Sequence, residues 1–186
     1  MIYLSNTVES SQPIGNQINP DLNICIVKQN METGEKTWIH AKNIVTNDGD
    51  LFYAQQALGE TPTSDFDGSS GRMELRTGSA TPDKGDTYAE VTTPITASRK
   101  IIDANYPTTA DADGDNTGSG ADIATWLTSW TTGDFSENAI IGGCIHVGGA
   151  SPVSGTKILS HFSITSFNKT SSDTLKIFVN HTFNGV

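Results

Sequence analysis

Short runs of β-branched and aromatic residues recur along this chain at intervals of roughly ten positions, and no other feature constrains its fold as strongly. Segments rich in Gly, Pro, Asn, Asp and Ser separate these runs. The pattern predicts roughly eight or nine strands, without the longer repeat of a propeller or solenoid. We therefore predict a mainly β fold, a jelly-roll-like antiparallel β-sandwich.

Alternation of apolar and polar residues is clearest in two of these runs. Arg72–Gly78 places Met73 and Leu75 on one side and charged residues on the other, which predicts a half-buried strand. In the last run, one predicted face carries Leu175, Ile177, Val179, His181 and Phe183. The shorter segments Tyr88–Thr92 and Ile95–Ala97 are also predicted strands, with Pro94 favouring an edge.

One short helix is expected, at about residues 47–58. Thr46, Asn47 or Asp48 can cap its start, and Gly59 stands where a helix-terminating glycine belongs. Its predicted half-buried stripe consists of Leu51, Ala54, Gln55 and Leu58.

Ile123–Trp130 fits both a helical stripe and one face of a strand, and its Thr, Ser and Trp content favours the strand. The pair Gly142-Gly143, inside another predicted strand, indicates a β-bulge or a close approach of two backbones.

A chain of 186 residues suits one domain. We assign residues 21–186 to a single β-sandwich domain and residues 1–20 to an extended N-terminal arm. That arm is either a frayed terminus or a strap across a neighbouring subunit. Leu22–Val27 and Thr37–Ala41, joined by a Gly-containing turn, predict a β-hairpin.

The formal net charge of -10 argues against a nucleic-acid partner, because an acidic surface repels phosphates. It is compatible with affinity for cations or for basic protein surfaces. No run of roughly 18 apolar residues predicts a membrane span. Met1–Leu4 does not resemble the start of a secretory signal, so we expect synthesis in the cytoplasm.

An acidic, glycine-punctuated segment is the one candidate metal site. Carboxylates at four positions recur with spacing similar to a calcium-binding loop: Asp111, Asp113, Asp115 and Asp122. Asn116 occupies the position where such a loop has glycine, and Asp122 replaces the longer bidentate Glu. A solvated turn is the alternative interpretation. No other cofactor is expected.

Trp126 and Trp130 are the candidate ligand-binding residues, since indole rings can stack on sugars. Packing in a core or an interface is the favoured alternative. The two cysteines, Cys25 and Cys144, are expected as buried free thiols.

The remaining polar residues do not predict an enzyme. The four histidines lack the pair spacing of a metal site and are expected to be half-buried or at the surface: His40, His146, His161 and His181. Cys144 and His146 share one strand face, but no oxyanion-forming turn follows them. We predict a non-enzymatic protein.

Several segments together resemble a class of virion structural proteins of tailed bacteriophages. They are the helix start Asn43–Asn47, the strand and turn Met73–Pro82, the pair Asp86-Thr87 and the closing stretch Lys169–Ile177. In that class a strand enters a Gly-Thr-Gly-x-x-x-Pro turn; here Arg76 stands at the first glycine.

The resemblance implies a capsid decoration (cement) protein that binds the shell as a homo-oligomer, with a trimer favoured. It implies the major capsid protein or other virion proteins as partners, and the virion as location. The alternative is a tail or fibre module that binds a host receptor or glycan.

Overall fold

The computed structural model describes residues 23–67, 69–109 and 123–183. The predicted N-terminal arm, residues 1–20, and the four aspartates Asp111, Asp113, Asp115 and Asp122 lie outside these ranges. Across the described residues, no helix has the length and apolar character needed to cross a bilayer.

The described residues form one α-helix and nine strands. The helix α1 spans Asn47–Ala57. The strands are β1 (Ile24–Asn30), β2 (Lys36–Ala41), β3 (Asn43–Val45), β4 (Arg72–Arg76), β5 (Lys100–Ile101), β6 (Ile123–Trp130), β7 (Glu137–His146), β8 (Ile158–Lys169) and β9 (Asp173–Thr182).

Two antiparallel sheets hold these strands, in the orders β2-β1-β9-β6 and β3-β8-β7-β4-β5. Apolar side chains of both sheets share one buried cluster between them, which includes Ile26 and Ile177 from one sheet and Leu75 and Ile145 from the other. The mainly β sandwich is therefore confirmed. The jelly-roll connectivity stays a prediction. The predicted hairpin is β1 and β2, paired from Ile24–Ala41 to Gln29–Lys36.

The predicted helix is confirmed, but its buried side is not the predicted one. Thr46 caps α1 by accepting a hydrogen bond from the Gly49 amide at 3.2 Å. Gly49 and Phe52 are the buried residues of α1. A side chain at Gly49 would collide with the backbone of β8, because its Cβ would lie 2.3 Å from the Leu159 carbonyl oxygen. This close contact fixes the rotation of the helix and turns the stripe at Leu51 outward.

β4 is buried on both faces, so the prediction of a half-buried strand was wrong. Met73 and Leu75 face the core as expected, but Glu74 and Arg76 are fully buried as well. The segment 77–99 lies over the outer face of this sheet. It excludes water from side chains that alternation alone assigns to solvent.

The same covering segment corrects two predicted strands. Tyr88–Glu90 and Thr96–Ser98 are short 3₁₀ helices. Thr87 and Glu90 form a capping box, which favours a helical turn over an extended strand. Pro94 does lie at the edge of β4, opposite Arg76 in an isolated bridge.

The remaining strand predictions agree with the structure. Ile123–Trp130 is a strand paired with β9. At the pair Gly142-Gly143, neighbouring backbones approach closely. A Cβ atom added to Gly142 would lie 2.4 Å from the Phe162 carbonyl oxygen, and one added to Gly143 would lie 2.6 Å from the Glu74 carbonyl oxygen. Register shifts between Ile140 and Gly142 add the irregularity that the glycine pair indicates. Cys25 and Cys144 are both buried, as expected.

Candidate functional site

Ionisable and polar side chains are concentrated on the outer face of the five-stranded sheet. Glu74 on β4 lies opposite Cys144 on β7, which lies opposite His161 on β8. Arg76 is two positions after Glu74 on β4, and His146 is two positions after Cys144 on β7. Both project from the same face, because side chains alternate along a strand. All five residues are fully buried.

The cover over this face is fastened by its own polar residues. Asp86, Tyr88 and Arg99 reach down from segment 77–99 to the sheet. Val91 of the cover also packs with Cys144 and Ile158 in a small apolar cluster. The result is a second buried layer outside the main core, held by ion pairs as well as by apolar contacts.

Glu74 is the centre of the larger polar group. Its carboxylate accepts from Arg99 Nη2 at 2.7 Å and Nε at 2.9 Å, and from the Tyr88 hydroxyl at 2.8 Å. Burial by itself raises the pKa of Glu74, but its contact with His146 and its hydrogen bonds from Arg99 and Tyr88 outweigh burial and lower the pKa below its usual value. Glu74 is therefore a fixed carboxylate rather than a proton donor.

The tautomer of His146 follows from its two neighbours. The Gly148 amide donates to His146 Nδ1 at 3.0 Å, so the ring proton belongs on Nε2. Nε2 lies 3.2 Å from Glu74 Oε2. No described neighbour of Nε2 meets hydrogen-bond geometry, so its contact with Glu74 is electrostatic.

Asp86 and His161 form the second polar pair beneath the cover. His161 Nδ1 lies 2.7 Å from Asp86 Oδ2, which also accepts the Asp83 amide at 2.8 Å. Burial lowers the pKa of His161 and outweighs the opposing effect of Asp86; the nearby Arg76 charge lowers it further. This pair links the turn at Asp83 to β8.

Arg76 differs from Arg99 because its hydrogen-bond acceptors are all neutral. Its guanidinium donates to the Gly78 carbonyl, to Ser163 Oγ at 2.6 Å and to the Phe162 carbonyl at 3.2 Å. Burial lowers its pKa, while the nearby Asp86 charge opposes that shift. Arg76 thus joins the start of the covering segment to β8.

A separate histidine lies at the other sheet. Trp126 Nε1 donates to the Tyr53 hydroxyl at 2.7 Å, so the tyrosine proton is directed to His181 Nδ1 at 2.5 Å. Burial lowers the pKa of His181 to about 3. This chain of bonds connects α1 to β6 and β9.

The polar groups beneath the cover hold the covering segment on the sheet. Burial, with the charge of Glu74, raises the pKa of the Cys144 thiol, so no thiolate nucleophile forms there near neutral pH. Burial and Glu74 also raise the pKa of Tyr88. Each polar group beneath the cover instead joins a loop to a strand.

The candidate ligand-binding tryptophans both lie in the core. Trp126 is fully buried and Trp130 is 2% exposed. The indole nitrogen of Trp130 donates to the Ser98 carbonyl at 2.7 Å. Their ring faces therefore pack against protein and are not presented to a sugar at the surface.

The metal prediction rests on residues outside the described ranges. Within those ranges, no group of three or more His, Cys, Asp or Glu is arranged to hold an ion. The expectation that the histidines are half-buried or exposed was wrong for three of them, since His146, His161 and His181 are each at most 2% exposed.

Sequence reasoning did not identify the polar layer under the cover. Charged residues alternating along a strand ordinarily face solvent, and Glu74 and Arg76 fit that pattern. The one available signal was the pairing of Cys144 with His146 on a single strand face. It gave no indication of Asp86, Tyr88 or Arg99, which come from a segment without regular periodicity.

Comparisons with family models, curated proteins and solved structures found no significant match to this chain.

Proposed function

We propose that this chain is a non-enzymatic structural component of a tailed-phage virion, a capsid decoration protein that binds the shell as a homo-oligomer. The observation that carries the proposal is the use of the buried ionisable residues. Glu74 and His161 bind Arg99 and Asp86, which hold the covering segment on the sheet. His146 accepts from the Gly148 amide, in the loop after β7. None of these contacts leaves a nucleophile activated for reaction.

This arrangement suits a protein whose task is to hold a shape. The bidentate Glu74–Arg99 pair and the Tyr88 hydrogen bond hold the cover in one geometry. A rigid surface loses less entropy when it binds a shell. The phage-like segments Met73–Pro82 and Lys169–Ile177 include β4 and the turn between β8 and β9.

The partners follow from charge. With a net charge of -10, the chain favours basic surfaces, and the major capsid protein or another virion protein would supply them. The virion as its location rests on the resemblance of the segments Met73–Pro82 and Lys169–Ile177 to phage virion proteins.

A tail or fibre module that binds a host glycan is the second candidate. One observation favours it: Trp38 on β2 is 37% exposed and could stack on a sugar. Trp126 and Trp130, the residues first considered for that role, are buried.

Immunogold electron microscopy of purified virions tests the two candidates. An antibody against this chain should label the heads of phage particles grown from the genome that encodes it. Tail labelling would instead favour the glycan-binding module, which a glycan array with Trp38→Ala as the control variant would then test. Absence of label from intact virions, with the chain detected in the host cell, would contradict both.

A further inference from the structure

α1 presents an apolar face that no described part of the chain covers. Leu51, Ala54 and Leu58 follow helical spacing and lie on one side of the helix and its C-cap. Leu51 is 44% exposed and Leu58 is 74% exposed. We call these three residues the helix face. Exposed leucines at this spacing are typical of a surface that binds another protein.

The loop that follows α1 is acidic and lies against the helix. The loop after α1 folds back along it, since Gln55 accepts the Thr63 amide at 3.0 Å and Phe66 packs edge-on against Phe52 at 5.5 Å. The stretch 47–67 contains five acidic residues and no Lys or Arg. The two acidic residues within α1 have basic partners: Asp48 pairs with Lys157, and Asp50 pairs with Lys84.

The three acidic residues of the loop remain without a basic partner among the described residues: Glu60, Asp65 and Asp67. The Gln56 side-chain amide donates to Asp67 Oδ2 at 3.4 Å, so this carboxylate lies beside α1. A basic group brought by a partner would meet negative charge there that no described cation neutralises. The helix face therefore selects a partner surface that is both apolar and basic.

The outer face of the four-stranded sheet has this complementary chemistry. Val27 on β1 lies opposite Trp38 on β2 and opposite Lys176 on β9, so the three form one cross-strand row. Lys36 lies two positions from Trp38 and projects from the same face. Lys36 and Lys176 are exposed, and no described residue pairs with either. We call these four residues the basic sheet face.

We propose that the helix face of one copy binds the basic sheet face of a second copy, head to tail. Leu51 and Leu58 would pack against Trp38, while Lys36 and Lys176 would approach the carboxylates of the acidic loop. An interface between two different surfaces closes into a ring when its rotation allows, and this is one route to a trimer. The inference rests on the homo-oligomer in the proposed function and names its two surfaces.

Sedimentation velocity of the full chain tests this interface in solution. Wild type should show an average mass that rises with concentration above the monomer, and its association should weaken with salt because ion pairs contribute. Leu51→Ser with Leu58→Ser removes the helix face, and Trp38→Ser with Lys176→Ser removes the basic sheet face. Each double variant should associate at least about tenfold more weakly than wild type.

Mixing the two double variants gives the sharpest result. Each retains one intact surface, so the mixture should form a one-to-one dimer and nothing larger, although each variant alone is monomeric. Two copies of one surface binding each other would give no such complementation. Val153→Ser, at a residue that is 69% exposed outside both surfaces, is the matched control and should associate like wild type.

A wild-type protein that stays monomeric up to about 100 μM would overturn the inference. So would a mixture without the dimer, or equal weakening by Val153→Ser. Circular dichroism of each variant establishes that it is folded. Sedimentation uses the purified chain without virions, so its outcome is independent of the immunogold experiment. A head-to-tail oligomer in solution, with no immunogold label on virions, would refute the proposed location but not the interface.

Discussion

Arg99 grips the carboxylate of Glu74 through two nitrogens, at 2.7 Å and 2.9 Å, although the two residues are 25 positions apart. Glu74 belongs to a strand of the sheet and Arg99 to the end of the segment that covers it. The pair therefore ties irregular chain to regular structure, and a bidentate geometry makes that tie directional.

Glu74→Gln tests the strength of this tie. The variant keeps the side-chain shape but leaves the Arg99 charge buried without its partner, so we expect a loss of about 3 kcal/mol in unfolding free energy. Urea unfolding followed by tryptophan fluorescence measures it, because Trp126 and Trp130 are buried. Asp50→Asn is the control: it breaks the exposed pair with Lys84 and should cost at most about 1 kcal/mol. Equal effects of the two variants would contradict a buried clamp.

Acid should destabilise the protein through its buried histidines. The folded-state pKa of His181 is lowered from 6.5 to about 3, and that of His161 is also lowered. The unfolded chain therefore binds more protons than the folded chain below pH 6.5, so stability present above that pH is lost as pH falls toward the folded pKa. Glu74 and Asp173 act in the same direction, but only below the ordinary carboxyl range.

His181→Gln separates the histidine effect from that of the carboxylates. Between pH 6.5 and pH 5 it should reduce the slope of unfolding free energy against pH, by at most about 1.4 kcal/mol per pH unit. Urea unfolding at several pH values gives this slope. A slope equal to that of wild type in His181→Gln would show that this residue does not titrate between the folded and unfolded states.

Gly142→Ala should destabilise the five-stranded sheet. The added methyl would lie 2.4 Å from the Phe162 oxygen and 2.7 Å from the Arg76 guanidinium carbon, so strands β7 and β8 would have to separate. Overpacking of this kind costs about 1–3 kcal/mol. Gly133→Ala has nothing within 4 Å of the new methyl and serves as the control. The melting temperatures of the two variants give the comparison; a Gly142→Ala protein as stable as Gly133→Ala would mean that the strands do not approach so closely.

Cys25 and Cys144 should resist alkylation in the folded protein. Both thiols are buried, which keeps the reagent from them, and burial raises the pKa of Cys144, so little thiolate is available there. Iodoacetamide followed by intact-mass spectrometry should find no modification in buffer and two additions in denaturant. Rapid labelling of Cys144 in buffer would indicate that the covering segment opens readily.

Local pattern was sufficient for several elements of this fold. The hairpin of β1 and β2, the strand β6 and the start of α1 at Thr46 each follow from residues that are neighbours in sequence. Propensity, alternation and capping act over a few residues, so the sequence contains that information directly.

Local pattern failed where distant residues decide burial. Leu51 was assigned to the buried side of α1, but the fit of Gly49 against β8 determines the rotation of the helix. Tyr88–Glu90 was assigned to a strand, but the capping box of Thr87 and Glu90 folds it into a 3₁₀ turn against the loop at Ser154. In the first case the deciding contact is with a distant strand. In the second it is a cap that competes with β propensity.

The sequence by itself determined that this chain forms strands with one short helix, because hydrophobic periodicity is a local property. Only the tertiary structure decided that Glu74 and Arg76 are buried, since that depends on where segment 77–99 lies. A charged residue that alternates with apolar ones along a strand ordinarily faces solvent. Glu74 and Arg76 can be buried because Arg99 pairs with the first and Ser163 accepts a hydrogen bond from the second. The polar layer is therefore a property of the folded chain, whereas the strand that carries it was visible in the sequence.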